Sequence, residues 1–591
     1  MRLRDTIIRF VCIILAAGLL ITAGMQLDYI NSQRQQMKLI SNEPLENAPP
    51  SLAFATIAMG AFRGLVVDIL WLRADRLKDQ GQFFDAKQIA EWITVLQPRF
   101  ASVWEFHAWN MAYNISVAIP ATQPAERWRW VKNGYELIRD KGIVLNPKSM
   151  GLYRELARIF QDKIGSVRDE AHKYYKLQLA MAMEPLIGPA DNEYFKALAE
   201  APVDWEHIIN DTNMVTFINA LKSADEAFED RETFVNNYLA LRQNPGRFKP
   251  EAFKVIDDFR INNTRVLREF DFFARAYQLH KNWKLDPVFM QELNNTYGPT
   301  DWKDPNAHLP LDWRHPDSHA IYWAAKGLQI AAEDKFSVPE INTDRIVNHS
   351  LQNLYRYGSI LIYDVSPREV SDLAMPVQQK EVFLRPDLRM FSTYDKSVRA
   401  VIEKYRGVAT EGGFQSLQIS HRNMLQNALL LFYQAGHTQQ AQKIYNDLRK
   451  LYPSDEFKVD LITFARNRLK AEFASIGLFD AEEMIHALLR ESYFRYAMHD
   501  DDEAAGREKM AREVHRHYQT SYRDENRIDL PDFDILKYSA LIDFLNDRQY
   551  PINLRRTLIA RIRIEKPKVA EQFEQIEKKM LKELEQSGQP K

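Results

Sequence analysis

The feature that most constrains the fold is a pair of amphipathic segments between Val67 and Phe100, joined by a short polar break. The first segment ends at Gln80-Gly81, and the second begins near Asp85 and stops at Pro98. Apolar residues recur every three or four positions in both segments, which is the period of an α-helix. The pattern therefore predicts two helices that pack against each other as a hairpin.

Small residues lie where the two predicted helices must approach closely. Ala74 is on the first helix and Ala86 is on the second. We expect Leu70 and Ala74 to face Ala86 and Ala90, because only small side chains permit such an approach. Larger apolar side chains are available to fill the space beside them: Leu77, Phe83, Ile93 and Leu96.

This unit of about 34 residues resembles a tetratricopeptide repeat, a helical module that usually binds other proteins. The residues at the packing positions of such a repeat are Leu70, Ala74, Leu77, Gly81, Ala86, Ile93 and Pro98. The run FRGLVVDILWLRA is similar to a segment that follows the membrane anchor in uncharacterised bacterial envelope proteins carrying these repeats.

Three later stretches fit the same resemblance, which implies an all-α chain with a helical-repeat superhelix, an α-α solenoid. They begin at Ala101, Met150 and Arg422. Their packing positions are Trp104, Ala108 and Met111; Tyr153, Ala157, Phe160, Ala171 and Tyr175; and Leu425, Leu429, Phe432, Gly436, Ala441, Tyr445, Leu448 and Pro453.

Composition excludes several classes of protein. The chain has 591 residues, too many for one compact core. Its formal net charge of −2, without long single-sign blocks, argues against nucleic acid as a partner. The single cysteine, Cys12, excludes disulfides within the rest of the chain. No phosphate-loop, dinucleotide or serine-hydrolase motif is present, so we expect no cofactor and no familiar catalytic site.

The N-terminal residues Met1 to Leu27 read as a single transmembrane anchor. Phe10 to Met25 carries no charge, and arginines precede this run. The positive-inside bias predicts a cytoplasmic N-terminus with the bulk of the chain in the periplasm, outside the inner membrane. A signal peptide cleaved after Ala23 or Gly24 is the alternative.

A second apolar stretch, Leu52 to Leu72, is interrupted by Arg63 and Asp68. Burying both charges in a bilayer would be costly, so a buried helix is favoured over a second crossing. The predicted organisation is an anchor (1–27), a polar spacer (28–51), repeats (52–190), an irregular helical region with long loops (191–410), a repeat with a following helix (411–475) and a C-terminal helical region (476–591).

Three histidines, His308, His315 and His319, are weak candidates for metal ligands. His315 and His319 are four residues apart, a spacing that suits two ligands on one helix face. The alternative is a loop-to-helix corner in which His315 flanks the helix cap and His319 packs or hydrogen-bonds. Pro316 would then lie at or near the first turn, with Asp317 and Ser318 as capping candidates. No HExxH motif or nearby cysteine accompanies them, so we predict no metal site. The run Asp312 to Leu328 also resembles a motif of other bacterial envelope proteins.

The repeat resemblance implies a partner-binding groove lined by the first helix of each unit. Carried over position by position, its residues are Asp68, Trp71, Asp75, Lys78, Glu105, Trp109, Arg154 and Arg158. Aromatic and arginine side chains dominate many peptide-binding surfaces. The alternatives are that insertions fill the groove and that Trp71 is a core residue.

The function that follows is a membrane-anchored envelope scaffold or adaptor that binds proteins or peptide segments. One alternative is an envelope enzyme, or an enzyme subunit, with a site near Asp312 to Trp323. The other is a cell-wall-associated structural protein that self-associates through its charged C-terminal helices.

The anchor generates a direct test. We expect the protein to stay in the membrane fraction after a carbonate wash, because about 20 apolar residues suffice to span a bilayer. A reporter fused after Lys591 should be active outside the cytoplasm. Release of a soluble species that begins near Met25 would instead demonstrate cleavage.

Overall fold

The computed structural model describes residues 63–586, together with Leu15, Gly18 and Thr22. Within 63–586 the undescribed positions are 188–190, 242, 302–303, 305–306, 332–337, 366–378, 408–410, 436, 474–477, 522–529 and 548–549. The chain divides into two compact units, Met1–Pro98 and Arg99–Lys591.

The predicted anchor and spacer lie outside the described residues, except for Leu15, Gly18 and Thr22. In the described part of the chain, no helix combines the length and the apolar character needed to cross a membrane. Membrane anchoring therefore stays a prediction. Gly436, a predicted packing position, also lies outside the described residues.

The first unit contains the predicted helical hairpin, formed by α1 (Arg63–Asp79) and α2 (Phe83–Leu96). Gly81 in the turn has a φ of 74°, a left-handed conformation that glycine adopts without steric cost. Ala74, Ala86 and Ala90 are fully buried, as expected for residues at a close helix contact.

Residues 101–187 form helical segments interrupted by π-helical turns. The helices are α3 (Ala101–Trp109), α4 (Ser116–Ala118), α5 (Pro124–Leu137), α6 (Ile143–Leu145), α7 (Met150–Arg158) and α8 (His172–Ile187). The π turns Asn110–Ile115 and Ile138–Gly142 link α3 to α4 and α5 to α6, and Ile159–Ile164 extends α7.

The next nine helices lie between residues 192 and 357, and several of them begin at an aspartate. They are α9 (Asn192–Glu200), α10 (Trp205–Ile209), α11 (Thr212–Ala224), α12 (Arg231–Ala240), α13 (Pro250–Asn262), α14 (Thr264–Gln278), α15 (Pro287–Tyr297), α16 (Pro316–Ala331) and α17 (Val338–Tyr357). A fourth π turn, Leu279–Trp283, extends α14. Asp204 and Asp211 accept hydrogen bonds from the first-turn amides of α10 and α11, so both carboxylates are helix caps.

A two-stranded antiparallel sheet follows, and its existence was not predicted. Strand β1 (Ser359–Val365) pairs with β2 (Gln379–Arg385), from Ser359 opposite Arg385 to Val365 opposite Gln379. Ile360 and Val382 are buried in a small cluster with Ala180 of α8. The region predicted as irregular helices with long loops (191–410) therefore also contains strands, although the all-α class prediction is correct because this is the only sheet in the described chain.

The remaining helices run to the end of the described chain. They are α18 (Phe391–Lys404), α19 (Glu411–Gln434), α20 (Thr438–Leu451), α21 (Leu461–Phe473), α22 (Leu478–Ala497), α23 (Asp501–Ser521), α24 (Phe533–Asn546), α25 (Ile552–Glu565) and α26 (Pro567–Gln586). Asp532 caps α24, since its Oδ1 accepts the Asp534 amide at 2.9 Å.

The predicted packing residues of the later units are buried wherever they are described, except Pro453, which is exposed. Burial at these positions is common to packed helical hairpins in general. The assignment to tetratricopeptide repeats therefore remains a prediction.

The second unit contains several hydrophobic cores. The largest includes residues from Trp104 to Phe464 and is built around α16, which packs against α7, α17 and the π turn Ile159–Ile164. An aromatic core spans residues 205–274, and a third spans residues 481–573. The helices of the first and third cores touch where Lys509 Nζ of α23 donates to the Tyr433 carbonyl of α19 at 2.6 Å.

Candidate functional site

In the first unit, the predicted groove residues lie along α1. Asp68 and Asp75 are exposed, whereas Trp71 and Lys78 are half-buried. Lys78 Nζ donates to Asp75 Oδ1 at 2.7 Å and lies 3.5 Å from Asp79 Oδ1. The hydrogen bond with Asp75 is the main cause of the raised pKa of Lys78. The charge of this lysine is therefore largely balanced on its own helix.

In the second unit, the predicted groove residues lie on two helices in contact, α3 and α7. Glu105 and Trp109 are on α3, and Arg154 and Arg158 are on α7. Burial raises the pKa of Glu105, and the positive charges of both arginines oppose that rise. The Glu105 carboxylate packs over Gly151, where a Cβ atom would collide with it. The structure thus brings these four residues together.

Tyr113, which sequence reasoning missed, joins the two sides of this surface. Its ring stacks on Trp109 with centroids 6.1 Å apart and an interplanar angle of 23°. The Arg158 guanidinium carbon lies 4.9 Å from the centre of the same ring. The spacing of four residues from Trp109 to Tyr113 was the available signal. We call Glu105, Trp109, Tyr113, Arg154 and Arg158 the Trp109 surface.

The two arginines of the Trp109 surface are in different electrostatic states. Arg158 binds Glu155 through two hydrogen bonds, of 2.9 and 2.7 Å, so its charge is paired within α7. Arg154 makes no ion pair or hydrogen bond with any other described side chain, although the charge of Glu105 is close enough to interact with it. Arg154 is therefore the guanidinium of this surface that is available to an anionic partner.

The three histidines considered as metal ligands do not converge. His308 Nδ1 lies 2.9 Å from the Gly298 carbonyl oxygen. His315 and His319 are buried in the core, and His319 Nε2 donates to the Trp313 carbonyl at 2.9 Å. Across the described residues, no three His, Cys, Asp or Glu side chains are grouped so that they could hold a metal ion.

The first turn of α16 departs from the predicted capping pattern. His315 is the residue that caps it, because its Nδ1 accepts the Asp317 amide at 3.1 Å. Ser318 Oγ donates instead to the Asp312 carbonyl at 2.7 Å. Asp317 is a fully buried side chain inside the helix, and its Oδ1 accepts from Asn353 Nδ2 at 3.1 Å. The prediction that Asp317 and Ser318 cap the helix was therefore wrong.

Burial controls ionisation around this turn. It raises the pKa of Asp317 to about 7 and lowers the pKa of His315 to about 3 and of His319 to about 4. It also lowers the pKa of Lys176 to about 8, and Lys176 Nζ donates to the Ser166 carbonyl at 3.0 Å. Both histidines are consequently neutral at pH 7, as a packed corner requires.

Arg314 ties the Asp312–Leu328 segment to its surroundings. It binds Asp312 at 2.9 and 2.8 Å, Glu184 of α8 at 2.9 Å and the Ile360 carbonyl of β1 at 3.2 Å. A cleft of about 340 Å³ adjoins it, and on its other side Arg389 binds Asp387 at 2.8 and 2.7 Å. Both guanidinium groups of this cleft are thus already engaged by carboxylates.

A larger cleft, of about 590 Å³, lies between α5, α8 and the π turn that extends α14. We call it the Trp128 cleft and define it by Trp128, Lys132, Arg139, Lys281, Trp283 and Lys284. The sequence did not indicate this cleft, because its walls come from helices far apart in the chain and no motif marks them.

Comparison with known proteins gives no assignment. No protein-family model matches the chain, and no curated protein matches it.

The buried carboxyl of Asp317 predicts a pH dependence of stability. Its folded-state pKa of about 7 lies above the value of about 3.9 in an unfolded chain, so the folded state binds more protons between these values. The stabilisation from neutral Asp317 is complete below about pH 3.9 and is lost as pH rises through about 7. Relative to Asp317→Asn, the free energy of unfolding of the wild type should fall by about 1 kcal/mol or more over this range, as measured by urea denaturation.

Asp534→Asn is the matched control. Asp534 is likewise the second residue of its helix, α24, but it is exposed. We expect little difference from wild type in its pH profile. If both variants show the same profile, Asp317 is ionised in the folded state and the described burial is incorrect.

Proposed function

We propose that this chain is a helical scaffold of the bacterial envelope that binds an extended acidic segment of a partner protein at the Trp109 surface. The N-terminal apolar run would hold it to the inner membrane, with the helical part in the periplasm. The repeat resemblance of the sequence and the character of the Trp109 surface support this proposal.

The observation that carries the proposal is the stacked pair of Trp109 and Tyr113 with a guanidinium on the tyrosine ring. Trp109 and Tyr113 are each half-buried, so their rings are held in place and still reach solvent. Such aromatic side chains supply large contact areas with little loss of side-chain entropy, which is why they dominate binding hot spots.

Charge favours an acidic partner. Arg154 has no ion pair among the described side chains, and Lys163 Nζ lies 5.6 Å from the centre of the Tyr113 ring. Lys163 itself binds Asp169 at 2.5 Å, so Arg154 is the cation that a partner carboxylate would meet first. Guanidinium groups bind carboxylates through two parallel hydrogen bonds, which gives direction as well as attraction.

The residues beneath the Trp109 surface hold it in place, as a binding scaffold requires. Arg158 and Glu155 form a two-bonded pair on α7, and Glu155 is buried. The neighbouring residues Leu152, Leu156 and Ala157 belong to the largest core. Because this surface is already held in place, its side chains lose little conformational entropy when a flexible segment binds.

The test is quantitative binding of a partner recovered from envelope extracts by cross-linking to the full chain. Trp109→Ala and Arg154→Glu should each weaken its affinity by about 30-fold or more, since truncation of a hot-spot residue costs about 2 kcal/mol. Both residues are partly exposed, so neither substitution should unfold the chain.

Trp92→Ala and Arg265→Glu are matched controls. Trp92 is 49% exposed on α2, and the Arg265 side chain is 77% exposed on α14. We expect both controls to bind as wild type does. Unchanged affinity in Trp109→Ala and Arg154→Glu would show that the Trp109 surface is not the binding site.

A further inference from the structure

The Trp128 cleft carries an excess of positive charge. Its walls contribute four cations, Lys132, Arg139, Lys281 and Lys284, and two carboxylates, Glu136 and Asp140. Arg139 binds Asp140 at 2.7 and 2.8 Å, and Lys132 Nζ lies 3.9 Å from Glu136. Both carboxylates of the cleft are therefore already paired, Asp140 with Arg139 and Glu136 with Lys132.

Lys281 and Lys284 remain without a carboxylate. Both are exposed, and neither ammonium group forms an ion pair or a hydrogen bond with any other residue that the structure describes. They lie three residues apart, Lys281 within the π turn Leu279–Trp283 and Lys284 directly after it. Two neighbouring unpaired ammonium groups on a cleft wall attract an anion, and a dianion more strongly than a single carboxylate.

Aromatic side chains form the other part of the cleft. Trp128 and Trp283 are half-buried, and Trp128 stacks on Tyr175 with centroids 5.7 Å apart. The buried Arg139 guanidinium carbon lies 5.6 Å from the centre of the Trp283 ring and 5.5 Å from that of Tyr135. These contacts fix the indoles in place, so a flat ring can stack on them without first ordering the site.

The backbone at the cleft is unusual on both walls. Two of the four π turns of the described chain, Ile138–Gly142 and Leu279–Trp283, contribute lining residues. Lys284 has a φ of 55°, and besides His499 it is the only described residue other than glycine with a positive φ. Each such departure from regular helix costs free energy and recurs at functional sites.

We propose that the Trp128 cleft binds a small phosphorylated ring compound, with its phosphate at Lys281 and Lys284 and its ring against the indoles. A phosphate monoester carries close to two negative charges at pH 7, which matches two unpaired ammonium groups. A volume of about 590 Å³ lies within the range of small-molecule sites. This site is separate from the Trp109 surface and does not depend on the partner proposed there.

The experiment is calorimetric titration of the full chain with four probes. Adenosine monophosphate and glucose 6-phosphate present two kinds of ring with a phosphate, inorganic phosphate presents charge alone, and adenosine presents a ring alone. We expect at least one ring phosphate to bind saturably and about tenfold more tightly than inorganic phosphate or adenosine. The preferred probe then distinguishes a nucleotide site from a sugar phosphate site.

The double variant Lys281→Glu/Lys284→Glu should lower that affinity about tenfold or more, since it replaces two charged hydrogen-bond donors. Lys222→Glu, an exposed lysine on α11, is the control and should bind as wild type does. The proposal is overturned if neither ring phosphate binds at millimolar concentration. It is also overturned if inorganic phosphate binds equally well, or if the double variant binds as tightly as the control.

Discussion

The largest core of the second unit depends on the burial of α16 with a polar first turn. The first-turn N–H groups of a helix have no hydrogen-bond partner within the helix. When that turn is buried, these groups must bond to other protein atoms instead of water. Here His315 accepts the Asp317 amide, Asn353 of α17 donates to Asp317, and Ser318 donates back to the Asp312 carbonyl. These bonds make the buried turn compatible with the surrounding apolar side chains.

The same helix connects the core to both candidate binding sites. His319 stacks on Phe160 of the π turn after α7, with centroids 4.9 Å apart, and lies 5.7 Å from the Trp283 ring of the Trp128 cleft. Because α7 also carries Arg154 and Arg158, its position is determined by contact with α16 on one side and with α3 on the other. The Trp109 surface and the Trp128 cleft therefore both adjoin the core around α16, and packing in that core orients their side chains.

Local patterns in the sequence were sufficient for most helices and for one part of the candidate site. Ala74, Ala86 and Ala90 were predicted at a close contact because helical period and residue size suffice to place them, and all three are buried. Glu105, Trp109, Arg154 and Arg158 were placed on one surface by carrying over the register of the repeat resemblance, and the helices that carry them, α3 and α7, are in contact.

Features that depend on distant contacts could not be predicted in this way. The π turns leave no residue signature, and the hairpin of β1 and β2 is stabilised partly by packing on α8, nearly 200 residues away in the chain. The sequence favoured a loop-to-helix corner over a metal site at His315 and His319, but it could not indicate which atoms these histidines bind in the core. The Trp128 cleft joins residues from positions 128, 139 and 283, which no local pattern relates.

Hydrogen exchange of the full chain, followed by mass spectrometry, tests most directly whether α16 is the centre of the largest core. Amides of buried core helices exchange only through global opening, whereas exposed helices exchange by local fraying. We expect peptides covering Pro316–Ala331 to exchange more slowly than those of any other described helix, and far more slowly than peptides of the charged helix α26 (Pro567–Gln586). Exchange of the α16 amides at the rate of α26 would contradict this expectation.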